Sequence, residues 1–239
     1  LLSFMKILNE NWLIFNDNIS LSKELAREIL DIAKSSIKLK GSFTIVLAGG
    51  NSPIELYKIL SQSESNWSKW HIYIGDERCL PLGDKDRNNQ IIGKIWLNNS
   101  SIPTRNVNFI QSELGAVEGM LHYEKTINNL NDFDVVLLSI GEDGHTASLF
   151  PGHTYEENQN VVIERNSPKY PKDRISMSYL RLNKSKNVFK IILGESKKKA
   201  IRFWLQGVIL PINQVHGDFE RVYICTNALP KKYLLKGEC

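Results

Sequence analysis

Three short segments place polar or charged side chains beside glycines at points where an apolar run ends. Ala48-Gly49-Gly50-Asn51-Ser52-Pro53 is a glycine-rich turn after the run Phe43 to Ala48. Paired glycines let a ligand approach the backbone, and the free N–H groups and dipole of a following helix attract anions. Asn51 and Ser52 add side-chain donors. A plain tight turn with a good cap fits the same letters. Gly75-Asp76-Glu77-Arg78-Cys79 follows His71 to Ile74. Arg78 offers a planar fork for phosphate or carboxylate, and Asp76 a carboxylate to orient a neighbour; a local ion-paired strand end is the alternative. Gly141-Glu142-Asp143-Gly144-His145 follows the most apolar run, Val135 to Ile140. A histidine can accept a proton from water near neutral pH, and a neighbouring carboxylate can fix which ring nitrogen is free. His145 is a candidate general base, against the alternative of a solvated loop histidine.

Arg174, before the run Ile175 to Ser178, and Lys197, in Gly194-Glu195-Ser196-Lys197, could bring positive charge to the same place. The run Lys197 to Lys199 also reads as a solvated helix face. Competing chemistries lack their spacing. There is no HExxH or HxH for a metal, no GxSxG elbow for a serine nucleophile, and no GxGxxG or Walker sequence for a nucleotide. Cys79 beside Arg78 has no sequence-linked histidine to activate it and reads better as a small apolar filler.

Short β-branched or aromatic runs alternate with helical stretches, the pattern of strand–helix–strand units in a mainly parallel sheet. Strands are expected at 43–48, 71–74, 107–110, 135–140, 161–164, 175–178, 188–193 and 222–225. Leu25, Ile29, Ile32, Ala33 and Ile37 share one face of a helix over 21–40, stopped by Gly41 in a left-handed cap. Ser52 as cap and Pro53 in the first helical position open the next helix. Further helices are expected near 89–97, 117–130 and 197–205, and 166–173 reads as a loop. The expected fold is α/β and doubly wound, a mainly parallel sheet flanked by helices. In such sheets ligands bind at the carboxyl ends of the strands, where all three segments emerge.

The chain has 239 residues, 30 Lys plus Arg and 26 Asp plus Glu, a net charge of +4. Both signs are interspersed, which argues against a polybasic nucleic-acid tail. A single domain over 1–239 is expected. Three cysteines, Cys79, Cys225 and Cys239, form no CxxC pair and no disulfide framework, which points to a reducing compartment. No apolar run approaches the ~20 residues that span a bilayer. Leu1 to Trp12 carries Lys6 and Glu10 without a small-residue cleavage pattern, so it does not read as a secretory signal.

Together these segments resemble the 6-phosphogluconolactonases, in the superfamily that also holds glucosamine-6-phosphate deaminase. The resemblance rests on 47–53, on 70–81, and above all on 141–153, which is similar to the family's DGHTASLFPGH stretch; Arg174-Ile175-Ser176-Met177-Ser178 and 194–197 match two later segments in order. It implies a Rossmann-like sheet of the sugar-phosphate isomerase/deaminase type. The implied activity is hydrolysis of 6-phospho-glucono-1,5-lactone in the oxidative pentose phosphate pathway, without metal or organic cofactor. His145, Asp76 and Arg78 would be catalytic: His145 as base, Arg78 on the oxyanion or on the phosphate, Asp76 orienting substrate hydroxyls or His145 itself. Gly49, Gly50, Asn51, Ser52, Arg174 and Lys197 would bind the substrate. The only implied partner is the phosphosugar lactone, with no nucleic acid and no membrane, in a monomer or weak homo-oligomer of the cytoplasm or plastid stroma. The deaminase branch carries a glutamate five positions after the histidine, where this chain has Phe150. The family often has Ser or Thr where Asn51 stands, and the tail 231–239 matches no family motif.

Overall fold

A computed structural model of the chain describes residues 11–233. The expectations for residues 1–10, for the tail from 234 and for Cys239 lie outside them. Ten strands are described: β1 (Trp12–Phe15), β2 (Phe43–Leu47), β3 (Trp70–Ile74), β4 (Asp76–Arg78), β5 (Val107–Asn108), β6 (Phe133–Ser139), β7 (Val161–Glu164), β8 (Arg174–Met177), β9 (Ser185–Ile192) and β10 (Phe219–Cys225). The α-helices are α1 (Asn18–Lys40), α2 (Ile54–Ser61), α3 (Asn88–Ile95), α4 (Ala116–Ile127), α5 (Tyr179–Leu182) and α6 (Lys198–Leu205).

Seven strands form one sheet in the order β1-β10-β9-β6-β2-β3-β5, and every neighbouring pair in it is parallel. Continuous apolar runs make such strands because both faces are covered. Ile45, Leu47, Val135 and Leu137 pack on one face with Leu25 and Ile29 of α1 and Leu56 of α2. Val46, Val136 and Leu138 pack on the other with Tyr123 and Ile127 of α4 and Ile201 of α6. α1 buries Leu21, Leu25, Ala26, Ile29 and Ala33. The side chain of Asp17 caps its start, and Gly41, at φ 81°, ends it by donating its N–H to Ile37 O, a conformation that glycine adopts without Cβ strain.

The sheet changes winding direction between β2 and β6. From β2 the chain proceeds to β3 and β5 on one side, while β6, β9 and β10 lie on the other. A crevice opens at the carboxyl ends of strands at such a switch point. The opposite end is structural: the buried carboxylate of Asp134 accepts from the N–H and Oγ1 of Thr44 and from Lys186 Nζ, tying β2, β6 and β9 together.

A second, antiparallel sheet, β4-β8-β7, packs on the α4 side. Gly75 is the junction. Its N–H extends the parallel sheet to Leu47 O at 3.0 Å, and its carbonyl accepts from Met177 of β8 at 2.8 Å. The expected strands at 161–164 and 175–178 therefore exist but belong to this sheet, with β8 beginning at Arg174. The strand expected over 107–110 is only two residues long, and β1 and β4 had no sequence counterpart. Ser52 is not the cap of α2. Pro53 holds the N-cap position and no side chain caps the helix.

Candidate functional site

A cleft of about 600 Å³ lies at the carboxyl ends of β2, β3, β6, β9 and β10. Gly49, Gly50, Asn51, Ser52, Asp76, Arg78, His145, Arg174 and Lys197 all line it. Every residue singled out from the sequence is thus brought to one place, although they come from segments spread over 49–197.

The loop after β2 is fixed by Tyr57, whose hydroxyl donates to Ala48 O at 2.7 Å. A Cβ at Gly49 would lie 2.1 Å from Oδ1 of Asn88, so glycine is required for that side chain to pack there. Gly50 takes φ 80°. With no cap to make, the Ser52 hydroxyl has no hydrogen-bond partner among the described residues and borders the cleft.

The loop after β6 sets the imidazole. His145 Nδ1 lies 2.5 Å from Asp143 Oδ1, and the His145 N–H donates to the same oxygen at 3.1 Å. Facing a carboxylate, Nδ1 carries the proton, which leaves Nε2 as the basic nitrogen. The ring of Phe150 lies 4.5 Å from the imidazole, centre to centre. A Cβ at Gly141 would fall 2.0 Å from Nδ1, so only glycine lets the imidazole fold back over the loop. Burial works against the charge of Asp143, yet the hydrogen bonds and positive charge of His145 outweigh it and hold the carboxyl at about 2.

Asp76 does not orient His145 by contact. The two share no hydrogen bond among the described residues; the carboxylate that orients the imidazole is Asp143. Asp76 instead accepts from Ser148 Oγ at 2.6 Å and from Asn88 Nδ2 at 3.2 Å, its side chain nearly buried at the cleft wall. Behind it, Glu77 is fully buried and accepts from the N–H groups of Arg78, Asn88 and Asn89 at 2.7 to 2.8 Å. It thereby anchors the start of α3 to β4. Burial is the largest influence on its carboxyl, which rises to about 7.

Arg78 and Arg174 stand directly opposite each other in the β4–β8 pair. Like charges at such positions repel. Arg78 donates from Nη1 to Asp86 O, and its Nε is buried without a hydrogen-bond partner among the described residues. Arg174 is also buried, with Nε and Nη2 directed at loop carbonyls. Lys197 makes no ion pair among the described residues, and burial, ahead of its neighbouring charges, lowers its pKa. The Cys79 thiol is pushed up to about 11, mainly by burial, so it is a poor nucleophile.

Sequence reasoning missed Asn88, Glu142, Lys169, Tyr170 and Asn227, which also line the cleft. Asp143 was legible as a neighbouring carboxylate able to fix the His145 tautomer, although Asp76 was also named for orienting the ring. No local pattern marks the others. Among the described residues no group of three or more His, Cys, Asp or Glu side chains is placed to hold a metal ion, and no helix is long and apolar enough to cross a membrane.

A family model described as glucosamine-6-phosphate isomerases/6-phosphogluconolactonase matches residues 16–224. The chain belongs to this family. It is 31% identical over 221 residues to 6-phosphogluconolactonase 3, chloroplastic, of Arabidopsis thaliana, covering 84% of this chain and 68% of that protein. It is 34% identical to the human GDH/6PGL endoplasmic bifunctional protein over 75% of this chain, but spans only 24% of that much longer relative. Among solved structures, the 6-phosphogluconolactonase of Thermotoga maritima superposes with a TM-score of 0.83 at 26% identity, covering 90% of this chain and 98% of that one.

Proposed function

We propose that the chain is a 6-phosphogluconolactonase, hydrolysing the ring ester of 6-phospho-glucono-1,5-lactone to 6-phosphogluconate in the oxidative pentose phosphate pathway. The observation that carries this reading is the joint presence in one cleft of the Asp143-oriented imidazole and a loop-plus-cation cradle suited to a phosphate. The likeness to relatives named for this activity supports it.

The phosphate dianion sits against the 50–52 loop, with Ser52 as a free hydroxyl donor and Lys197 and Arg174 supplying positive charge. His145 Nε2 takes a proton from water as the water oxygen bonds to the lactone carbonyl carbon. The tetrahedral oxyanion then collapses, the bond from that carbon to the ring oxygen breaks, and the imidazolium returns its proton to that oxygen. Asp143 stays ionised throughout and stabilises the imidazolium, as an orienting carboxylate does in a triad. General-base assistance of this kind is worth ~10²- to 10⁴-fold. Arg78 is assigned to the oxyanion, where one donor contributes ~10²- to 10³-fold. Asp76, held by Ser148 and Asn88, is assigned to the substrate hydroxyls.

The amino-sugar deaminase alternative is disfavoured by Phe150, which is almost fully buried and lies against His145. An apolar ring stands where that chemistry needs a carboxylate. The chain is read as a single catalytic domain acting as a monomer or weak homo-oligomer. The compartment is read as the cytoplasm or a plastid stroma, the latter in keeping with the chloroplastic relative. The test is the rate of lactone opening, corrected for spontaneous hydrolysis, with and without the 6-phosphate. Selective acceleration of the phosphorylated lactone is expected; ammonia release from glucosamine 6-phosphate, or binding without turnover, would overturn the assignment.

A further inference from the structure

The segment from Asn166 to Asp173 runs along the cleft as a strap, and its attachment is unusual. Arg174 donates to three successive strap carbonyls: from Nη2 to Lys169 O at 3.2 Å and Tyr170 O at 3.4 Å, and from Nε to Pro171 O at 3.2 Å. The buried Ser167 closes the strap on itself, its Oγ donating to Lys169 O at 2.8 Å and its N–H to Lys172 O at 3.2 Å. Two of the guanidinium's three nitrogens are therefore spent on backbone. The result is to present the side chains of Lys169 and Tyr170 to the cleft, which both of them line.

Lys169 faces Glu142 across the cleft at 3.7 Å. That is too long for a hydrogen bond, and both side chains are more than half exposed, so the pair itself contributes little. A carboxylate at the mouth of a cleft for a dianion would repel it unless neutralised. Lys169 supplies that neutralisation when the cleft is empty and a closer, doubly charged partner is available when it is filled. Lys197 lines the same cleft; burial is the main influence lowering its pKa and the positive charge of Lys169 adds to it, so an anion bound in the cleft would relieve both.

We infer that Lys169 is a specificity-determining residue that leaves Glu142 to bind the substrate's phosphate together with Lys197, and that Arg174 is a positioning residue that fixes the strap carrying it. The inference rests on the lactonase reading.

The experiment compares kcat/KM for 6-phospho-glucono-1,5-lactone with that for glucono-1,5-lactone, in wild type, Lys169→Met and Lys169→Arg. Losing one charge-assisted contact lowers the ratio of the two by about tenfold in Lys169→Met, through KM, and Lys169→Arg restores most of it. Glu142→Gln lowers KM for the phosphorylated lactone. An unchanged ratio in Lys169→Met overturns the inference, as does an equal loss on both lactones, which would make the strap merely structural. No enzyme-dependent opening of either lactone by the wild type overturns instead the lactonase reading beneath it.

Discussion

Nδ1 of His145 and Oδ1 of Asp143 lie 2.5 Å apart, two residues distant in the chain, in a loop that glycine at 141 alone permits. One short segment therefore supplies both the proposed base and the group that fixes its tautomer. Asp143→Asn removes the charge that stabilises the imidazolium and admits the wrong tautomer. Its kcat falls by ~10²-fold or more with KM little changed, as steady-state kinetics would show.

Gly141→Ala probes the same arrangement from the backbone side. The added methyl occupies the position of the imidazole, so the ring must swing away. A loss of kcat comparable to that of Asp143→Asn is expected, with overpacking costing about 1–3 kcal/mol of stability, measured by denaturant melts. An active, equally stable Gly141→Ala protein would show that the ring does not rest there during turnover.

Arg78 and Lys197 are separated by the kinetic parameter each controls. Arg78→Met reduces kcat if the guanidinium meets the oxyanion; a rise confined to KM would place it on the phosphate instead. Lys197→Ala raises KM for the phosphorylated lactone, by about tenfold for one lost charge-assisted contact, and an unchanged KM would move the phosphate elsewhere.

Glu77 links the site to pH through stability. Its folded pKa of about 7 stands above the ordinary carboxylate value of 4.5. A raised acid favours the folded state fully below the unfolded value, and this contribution is lost as pH rises from about 4.5 through 7. Asp143, depressed to about 2, acts in the opposite sense. Its stabilisation is present above its ordinary value of 3.8 and is lost as pH falls towards 2. Thermal melts of Glu77→Gln against wild type are expected to diverge across pH 4.5–7; parallel curves would show that Glu77 stays ionised.

Much of this was readable in the sequence, for physical reasons. Val135 to Leu138 is a strand buried on both faces, so its letters are continuously apolar, and Leu25, Ile29 and Ala33 keep a helical period because one face of α1 is buried. The glycines at 49 and 141 mark places where a side chain of another residue occupies the Cβ position. β4 escaped notice because Asp76-Glu77-Arg78 looks like a turn, and its strand pairing exists only through β8, some hundred residues on. Ser52 read as a cap because a hydroxyl before proline suits one; the chain extends the turn by one residue and leaves the hydroxyl free. Lys169 was invisible, since its position depends on Arg174 holding carbonyls that carry no sequence signal. Arg174 read as a charge aimed at a ligand; it lines the cleft, and two of its nitrogens also hold the strap, a second task that the sequence does not signal.

The imidazole of His145 as the proton acceptor is tested most directly by the enzyme-dependent rate of 6-phospho-glucono-1,5-lactone opening, corrected for spontaneous hydrolysis, in wild type and His145→Ala. The account predicts a kcat reduced by at least ~10²-fold in the variant, with KM within a few-fold of wild type. A His145→Ala protein that turns over at close to the wild-type rate would contradict it.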